Sequence, residues 1–390
     1  MLGKVIDQKT IRTENRKKIL QLLIRNREVT IPEISRETRI SIPTVTKNIN
    51  QLITEGIAEE AGVSESTIGR KPMVIRFLPD AYYSLGVEFS VKGVRIIMTN
   101  LDSTIKANRM LRDVDYRDID KLISLIRHEV DSIILEKDIS SQNVLGIGFS
   151  LPGPTNEETK VLKIAPNLGI KQLEFAKYEA AFDFPLFVEN DANAAAMAEL
   201  TLGIAKTMRS LVYICVMSRG IGCGIVVGGH LYRGRSRLAG EISHMRVASH
   251  GRQCTCGWHD CWELYASTDA LVEMYQKKTG NTIRTVQEFF GALKKYEPVA
   301  AEIFDEYLEY LALGIQHIIL IQDPHYVIVG GDLSLFEEFF LEPLKEKILV
   351  ENSFYDNSTV EIMCSTLKEN AFVLGASLLP FEKIFHLHDI

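Results

Sequence analysis

No apolar run in the 390-residue chain approaches the roughly 20 residues that a membrane-spanning helix needs. Met1 is not followed by the basic, apolar and small-residue succession of a secretory leader. The expectation is a protein with no membrane segment, working in the cytoplasm. Cysteine is scarce, at six residues, which in a cytosolic chain argues for metal ligation or free thiols and against a disulfide framework. Positive charge is also short: the net charge of −7 speaks against a nucleic-acid binder when the chain is taken whole. What is there, 46% hydrophobic and 24% charged residues, is the balance of an ordinary globular protein of two or three domains.

The charge is unevenly distributed. Residues 1–79 hold 14 Lys and Arg against 9 Asp and Glu, a net +5 that leaves −12 for residues 80–390. Such an asymmetry suggests a DNA-binding head on a body that does not itself bind DNA. Within the head, Ile19, Leu20, Leu22, Leu23 and Ile24 mark the buried end of a helix over 11–24. Thr30 and Glu33 form a capping box, with Pro32 at an early helical position and Ile34 facing inward, so a second helix starts there. A third opens on Ser41 as N-cap and carries Ile42, Val45, Ile49, Leu52 and Ile53 at helical spacing until Gly56.

Outside that stripe lie Pro43, Thr44, Lys47, Asn48 and Gln51, a polar face with few acids whose N-terminal end suits the base edges of a major groove. Runs at 57–61 and 73–78 read as the strands of a wing, and the loop between them ends Gly69-Arg70-Lys71-Pro72. Arg70 and Lys71 at that tip suit phosphates or a narrow minor groove. A solvated helix face is the plainer account of any single signal, and a protein-interaction module is the alternative for the set. Their succession favours a helix-turn-helix on double-stranded DNA.

Half of the cysteines fall within eight residues. Cys254, Cys256 and Cys261 supply three thiolates, and His244, ten residues upstream of the first, supplies an imidazole. That is the Cys3His tetrahedron of a closed zinc site, with no open position for water, so the metal would brace the fold. Its contribution would be on the order of 10 kcal/mol if it behaves like zinc-finger peptides. The alternative is three buried or reactive thiols without metal. Cys215, Cys223 and Cys364 stand in apolar surroundings and read as core.

Beyond residue 79 strands and helices alternate. Segments 83–89, 94–100 and 104–112 read as a meander, followed by a helix around 118–135 and a buried strand at 144–149, which is α/β architecture. Gly153 in SLPGPT permits close backbone approach to a ligand, and Asn167 in PNL offers both donor and acceptor, although a plain Pro/Gly turn also accounts for the segment. Asn190 and Asp191 stand where a strand meets an alanine-rich helix, a corner at which open α/β folds bind ligands. A cap on that helix is the alternative for Asp191. The C-terminal third supplies a helix over 299–321, a strand at 326–329 and helices near 333–349 and 371–384. Phe304, Leu308, Leu311, Ile315 and Ile319 read as core or dimer contacts.

The succession AGEISHM followed by CTCGWHDCWE, with GRKP in the head and PGP, PNL and NDAN along the body, resembles the signature of the ROK family of bacterial sugar kinases and sugar-responsive repressors. The resemblance covers essentially the entire chain. It implies an N-terminal winged helix-turn-helix over 1–79, then a two-lobed ribonuclease-H-like body of the actin and sugar kinase superfamily over 80–390. One lobe would comprise 80–190 plus the C-terminal helix, the other 191–370. It also implies that Asn167, Asn190, Asp191, Glu241, His244 and Glu263 hold a sugar, with His244 touching both zinc and sugar. In a kinase Asp191 would take the proton from the attacking sugar hydroxyl.

Three departures from the family stand out. Asp260 replaces the glycine before the third cysteine, which leaves His259 as a competing metal ligand. The first phosphate turn, Asp-x-Gly-Gly-Thr in ROK kinases, reads Glu88-Phe89-Ser90-Val91-Lys92 and has lost both glycines. The second reads Met217-Ser218-Arg219-Gly220-Ile221-Gly222-Cys223-Gly224, without its first glycine and its threonine. Both turns argue against ATP, and Gly330-Gly331 near the adenosine segment is a common turn. The expectation is a non-enzymatic, sugar-responsive repressor of carbohydrate-utilisation genes. It would be a homodimer or dimer of dimers on an inverted-repeat operator, with zinc and a small sugar effector. The rival is an active ATP-dependent sugar kinase carrying a DNA-binding head.

Overall fold

The computed structural model describes residues 8–63, 72–349, 356 and 359–385. Arg70 and Lys71 lie outside the described residues. In the head, α1 (Gln8–Asn26) buries Ile19, Leu20, Leu22 and Leu23. A three-residue strand that no periodicity announces, β1 (Glu28–Thr30), leads into α2 (Ile31–Thr38). The capping box forms as the residues require: the Glu33 N–H donates to Thr30 Oγ1 at 3.4 Å and the Thr30 N–H to Glu33 Oε2 at 2.8 Å. Helix α3 (Ile42–Thr54) buries Val45, Ile49 and Leu52, whereas Ile42 in its first turn is 52% exposed and falls off the expected stripe. Ser41 stands at the N-cap, but its hydroxyl meets that of Thr44 at 3.0 Å and caps no backbone amide. Strands β2 (Ala58–Val63) and β3 (Met73–Phe77) pair antiparallel, and β1 completes the sheet in the order β1-β3-β2.

The body starts with the meander β4 (Tyr83–Ser90), β5 (Gly93–Asn100) and β6 (Ile105–Leu111). Helix α4 (Ile119–Glu136) then crosses to β7 (Val144–Leu151), parallel to β4. A small antiparallel sheet follows, β8 (Thr155–Asn156), β9 (Val161–Ala165) and β10 (Ile170–Glu174), before β11 (Leu186–Asn190) joins β7 in parallel. The order β11-β7-β4-β5-β6 thus sets a meander beside two parallel strands. Helix α5 (Asp191–Thr201) leaves β11 directly.

The second lobe repeats this plan with β12 (Leu211–Met217), β13 (Gly220–Val227) and β14 (His230–Leu231) as its meander. Helices α6 (Glu263–Ala266), α7 (Thr268–Thr279), α8 (Val286–Lys294) and α9 (Pro298–Gln322) carry the chain to β15 (Tyr326–Gly331). After α10 (Glu337–Ile348) and β16 (Glu361–Cys364), the order reads β14-β13-β12-β15-β16, with β15 parallel to β12. Two copies of one sheet topology make this the two-lobed sugar-kinase-type α/β body. The expected helix near 333–349 begins one turn late, because 332–336 form a 3-10 turn. Phe304, Leu308, Leu311, Ile315 and Ile319 are all buried in the core of the second lobe, so they are core residues of the chain itself. Cys215, Cys223 and Cys364 are buried as expected.

The last helix, α11 (Ala371–Phe385), packs on β7, β4 and β5 of the first lobe and against α5. Contact with α5 is close because both helices offer small residues: a Cβ on Gly375 would lie 2.0 Å from the Ala194 carbonyl oxygen. The far side of α11 meets the head. Leu374, Leu378, Phe381 and Phe385 form one apolar cluster with Ile97 and Leu101 of the body and with Ile19, Ile57 and Phe77 of the head. Arg27 pairs with Asp102 at 2.6 Å, and the Tyr82 hydroxyl donates to the Glu55 carbonyl at 3.1 Å. No helix among the described residues is long and apolar enough to cross a membrane.

Candidate metal and sugar site

His244, Cys254, Cys256 and Cys261 converge so that their ligand atoms all lie within 4.8 Å of one another. Cys254 Sγ is 3.7 Å from His244 Nδ1, and Cys256 Sγ is 3.6 Å from Cys261 Sγ. In a tetrahedron with Zn–S near 2.3 Å and Zn–N near 2.0 Å, donor-to-donor edges are about 3.5–3.8 Å, so donor types and spacing fit Zn²⁺. His259 is exposed on the same loop and is not in the cluster. Asp260 adopts the left-handed conformation that glycine favours, with φ 59. It also contributes what glycine could not. Its buried carboxylate accepts the N–H groups of Gly251 at 2.9 Å and Arg252 at 3.0 Å and the Tyr265 hydroxyl at 2.5 Å. The Tyr265 hydroxyl, then those amides, hold its carboxyl down at about 2. The departure from glycine therefore leaves the turn intact and ties the cysteine loop to α6.

Glu263, the first residue of α6, links the Cys3His cluster and the cleft. Its Oε1 lies 3.0 Å from Cys254 Sγ and 3.6 Å from His244 Nδ1. A Cβ on Gly220 would lie 3.6 Å from Glu263 Oε2 and 3.9 Å from Asn167 Nδ2, so Glu263 and Asn167 flank that glycine from different lobes. Asn167 also donates to the Arg219 carbonyl at 2.9 Å. Asp191 stands at the β11–α5 corner, where its Oδ1 accepts the Ala192 N–H at 2.8 Å and the Asn190 amide at 3.1 Å. The cap of α5 is Asn190, which accepts from the Asn193 N–H at 3.1 Å. Asp191 is thus not the N-cap residue, although its carboxylate also accepts a first-turn amide of α5.

Burial pushes the Asp191 carboxyl up to about 6. Glu241 rises to about 7, chiefly by burial and further by the charges of Asp191 and Glu263. Carboxylates poised near neutrality can accept a proton or a hydrogen bond from a hydroxyl, which is the chemistry a polyol ligand requires. Gly153 departs from expectation. Its φ of +135 and a virtual Cβ 2.1 Å from the Ile164 carbonyl show that the close backbone approach is to the chain's own β9.

Two features escaped sequence reasoning. Glu88, named in sequence only as the first residue of the altered phosphate turn, is pushed up to about 7, mainly by burial and further by the charge of Asp191. Glu189, 1% exposed, accepts from Arg233 Nη2 at 2.6 Å and Nε at 3.1 Å, from the Asn190 N–H at 3.0 Å and from Asn193 Nδ2 at 3.1 Å. Arg233 also faces Glu157 at 3.5 Å, and Arg237 pairs with Glu157 at 3.2 Å and Glu158 at 2.8 Å. This network ties the corner to loops of both lobes. A glutamate directly before an NDAN segment was its only trace in sequence.

In the head, Pro43, Lys47 and Gln51 are exposed and Thr44 and Asn48 half-buried. Asn48 donates back to the Thr44 carbonyl at 2.8 Å and Gln51 to Glu55 at 3.0 Å, so part of the polar face is engaged within α3.

A winged helix-turn-helix on a duplicated kinase-type body with a Cys3His loop defines a class, and comparison with known proteins agrees with it: residues 84–383 match the ROK family model and 12–59 a winged helix-turn-helix DNA-binding model. The chain belongs to the ROK family. Among its curated relatives, the xylose repressor of Bacillus subtilis (strain 168) is 28% identical over 382 residues, covering 97% of both chains. A glucokinase of Streptomyces coelicolor is 30% identical over 260 residues, which cover 61% of this chain and 81% of the enzyme. Among solved structures, a ROK family transcriptional regulator described as a homolog of the E. coli MLC protein superposes with a TM-score of 0.82 at 21% identity, over 97% of this chain and 98% of its own. The ROK glucokinase of Streptomyces griseus, in complex with glucose and AMPPNP, gives 0.67 at 25% identity over 76% and 98%.

Proposed function

We propose that this chain is a sugar-responsive, DNA-binding transcriptional repressor of carbohydrate-utilisation genes, with xylose as its effector. The observation that carries this reading is the match to a xylose repressor over 97% of both chains, head included, where a glucokinase relative covers only 61% of this chain. In this reading the head occupies 1–79 and the body 80–390, with lobes 80–190 plus the C-terminal helix and 191–370. The protein works in the cytoplasm as a homodimer or dimer of dimers on an inverted repeat. Ser41, Pro43, Thr44, Lys47 and Asn48 face the major groove, and Arg70 and Lys71 the backbone. His244, Cys254, Cys256 and Cys261 hold zinc, which braces the loop that carries His244 and Glu263 to the cleft.

Xylose is held by Asn167, Asn190, Asp191, Glu241, His244 and Glu263. These residues come from both lobes, so binding closes the cleft, and α11, packed on the first lobe and on the head, transmits the movement. A coupling of ~1–3 kcal/mol changes operator affinity by roughly 5- to 150-fold. The test is operator affinity measured with and without saturating xylose, in the parent and in Glu241→Gln. The parent should respond and the variant should not; a parent that binds xylose yet keeps the same operator affinity refutes the sensor.

A second reading, an active sugar kinase, is favoured by the glucokinase relatives and by the Asp191 carboxyl near neutrality. The altered phosphate turns oppose it. ATP-dependent phosphorylation of glucose or xylose by the purified chain would decide for it.

A further inference from the structure

The three turns that resemble nucleotide-binding elements meet at one side chain. Lys92 lies in the turn between β4 and β5 of the first lobe, Ser218 in the turn between β12 and β13 of the second, and Asp332 directly follows Gly330-Gly331 at the end of β15. Asp332 Oδ1 accepts from Lys92 Nζ at 2.7 Å, and Oδ2 from the Ser218 backbone N–H at 3.1 Å. The Asp332 side chain is only 10% exposed. A lysine ammonium and a main-chain amide converging on two anionic oxygens is how proteins hold a phosphoryl group. Here the anion is part of the chain, and it is held from both lobes at once.

We propose that Asp332 is a specificity-determining residue of the cleft: its carboxylate occupies the anion position between the lobes, excludes nucleotide phosphates by its charge, and leaves the site to an uncharged sugar alone. This deepens the sugar-sensor reading and rests on it for the identity of the sugar. Two features support it. Lys92 is 54% exposed, so as a strut its pair with Asp332 is weak, and its consequence is occupancy. Glu88 and Asp269 stand near enough to feel the Asp332 charge, so the anion position lies among further acidic side chains.

The test is titration calorimetry of the full-length chain with inorganic tripolyphosphate. The parent should show no binding at millimolar concentration. Asp332→Asn, which keeps the shape and removes the charge, should bind at least about tenfold more tightly, as expected for deleting a like charge at contact distance. Adding Lys92→Met should return the variant to the parent level. Equal binding by parent and Asp332→Asn, or no binding by either, overturns the proposal. Should the Asn variant not fold, judged by zinc content and melting temperature, Asp332→Ser is read in the same way. Xylose-dependent operator binding of the parent is measured alongside, so failure of the sensor reading shows there and leaves the tripolyphosphate result unaffected.

Discussion

Replacing Asp191 by asparagine should stabilise the protein while destroying its response to sugar. Burial raises the Asp191 carboxyl from its ordinary 3.8 to about 6. At about 1.4 kcal/mol per unit, ionising it in the folded state costs about 3 kcal/mol. Because the folded value is the raised one and the group is an acid, this cost is absent below pH 3.8, grows between 3.8 and 6, and is complete above 6. Asparagine is neutral throughout, and its oxygen can still accept the Ala192 N–H and the Asn190 amide. Differences in packing and hydrogen bonding between the amide and the neutral carboxyl, on the order of 1 kcal/mol, are independent of pH.

The comparison between two pH values removes that constant. Between pH 8 and pH 5 the advantage of the variant should shrink by about 1.4 kcal/mol, about half of the ionisation cost. In melting temperature this is roughly 2 °C for a body of this size, at about 2.1 cal/mol/K per residue. Neutralising Asp191 also relieves Glu88 and Glu241, whose upward shifts it reinforces, so the neighbours act in the same direction. The assay is thermal unfolding of the zinc-loaded, sugar-free protein at both pH values, with xylose-induced stabilisation as the functional readout. A difference between variant and parent that is the same at pH 5 and pH 8 would refute the placement of a strained carboxylate here.

Zinc should be found at one equivalent per chain by elemental analysis of protein purified without added metal. Cys256→Ser should lose it and melt at a lower temperature, and since Cys256 is exposed the loss reports on the metal and not on core packing. An unchanged zinc content in that variant would rule out the ligand set. On DNA, Arg70→Ala and Lys71→Ala should each weaken operator binding across sequences and flatten its salt slope by about one. Thr44→Ala or Lys47→Ala should instead alter sequence preference. A fragment starting at Gly86 that bound the operator as well as the full chain would disprove the assignment to the head.

What could be read from sequence was what short-range chemistry determines. The α2 capping box needs only Thr30 and Glu33, three residues apart, and the four metal-type ligands span eighteen residues, so both were visible as patterns. Strand β1 was invisible because three residues have no period, and only pairing with β3 makes them a strand. Ile42 sits at helical spacing yet faces solvent, since spacing identifies a face and not how far along the helix the partner surface extends. The contacts of Glu189 and Asp332 were hidden for a different reason. Arg233 is 44 residues from Glu189 and Lys92 is 240 from Asp332, and neither pairing follows from any local rule.

The apolar cluster shared by head and body bears on how such regulators can be recombined. Phe381 and Phe385 near the end of the described chain share one apolar cluster with residues of its first helix, so the DNA-reading module has no closed hydrophobic surface of its own. A chimera that grafts a foreign head at residue 79 would set unmatched side chains on α11 and on Ile97 and Leu101, and would expose apolar surface. Exchange of operator specificity between relatives therefore has to proceed either by point changes on α3 or by moving both ends of the chain together.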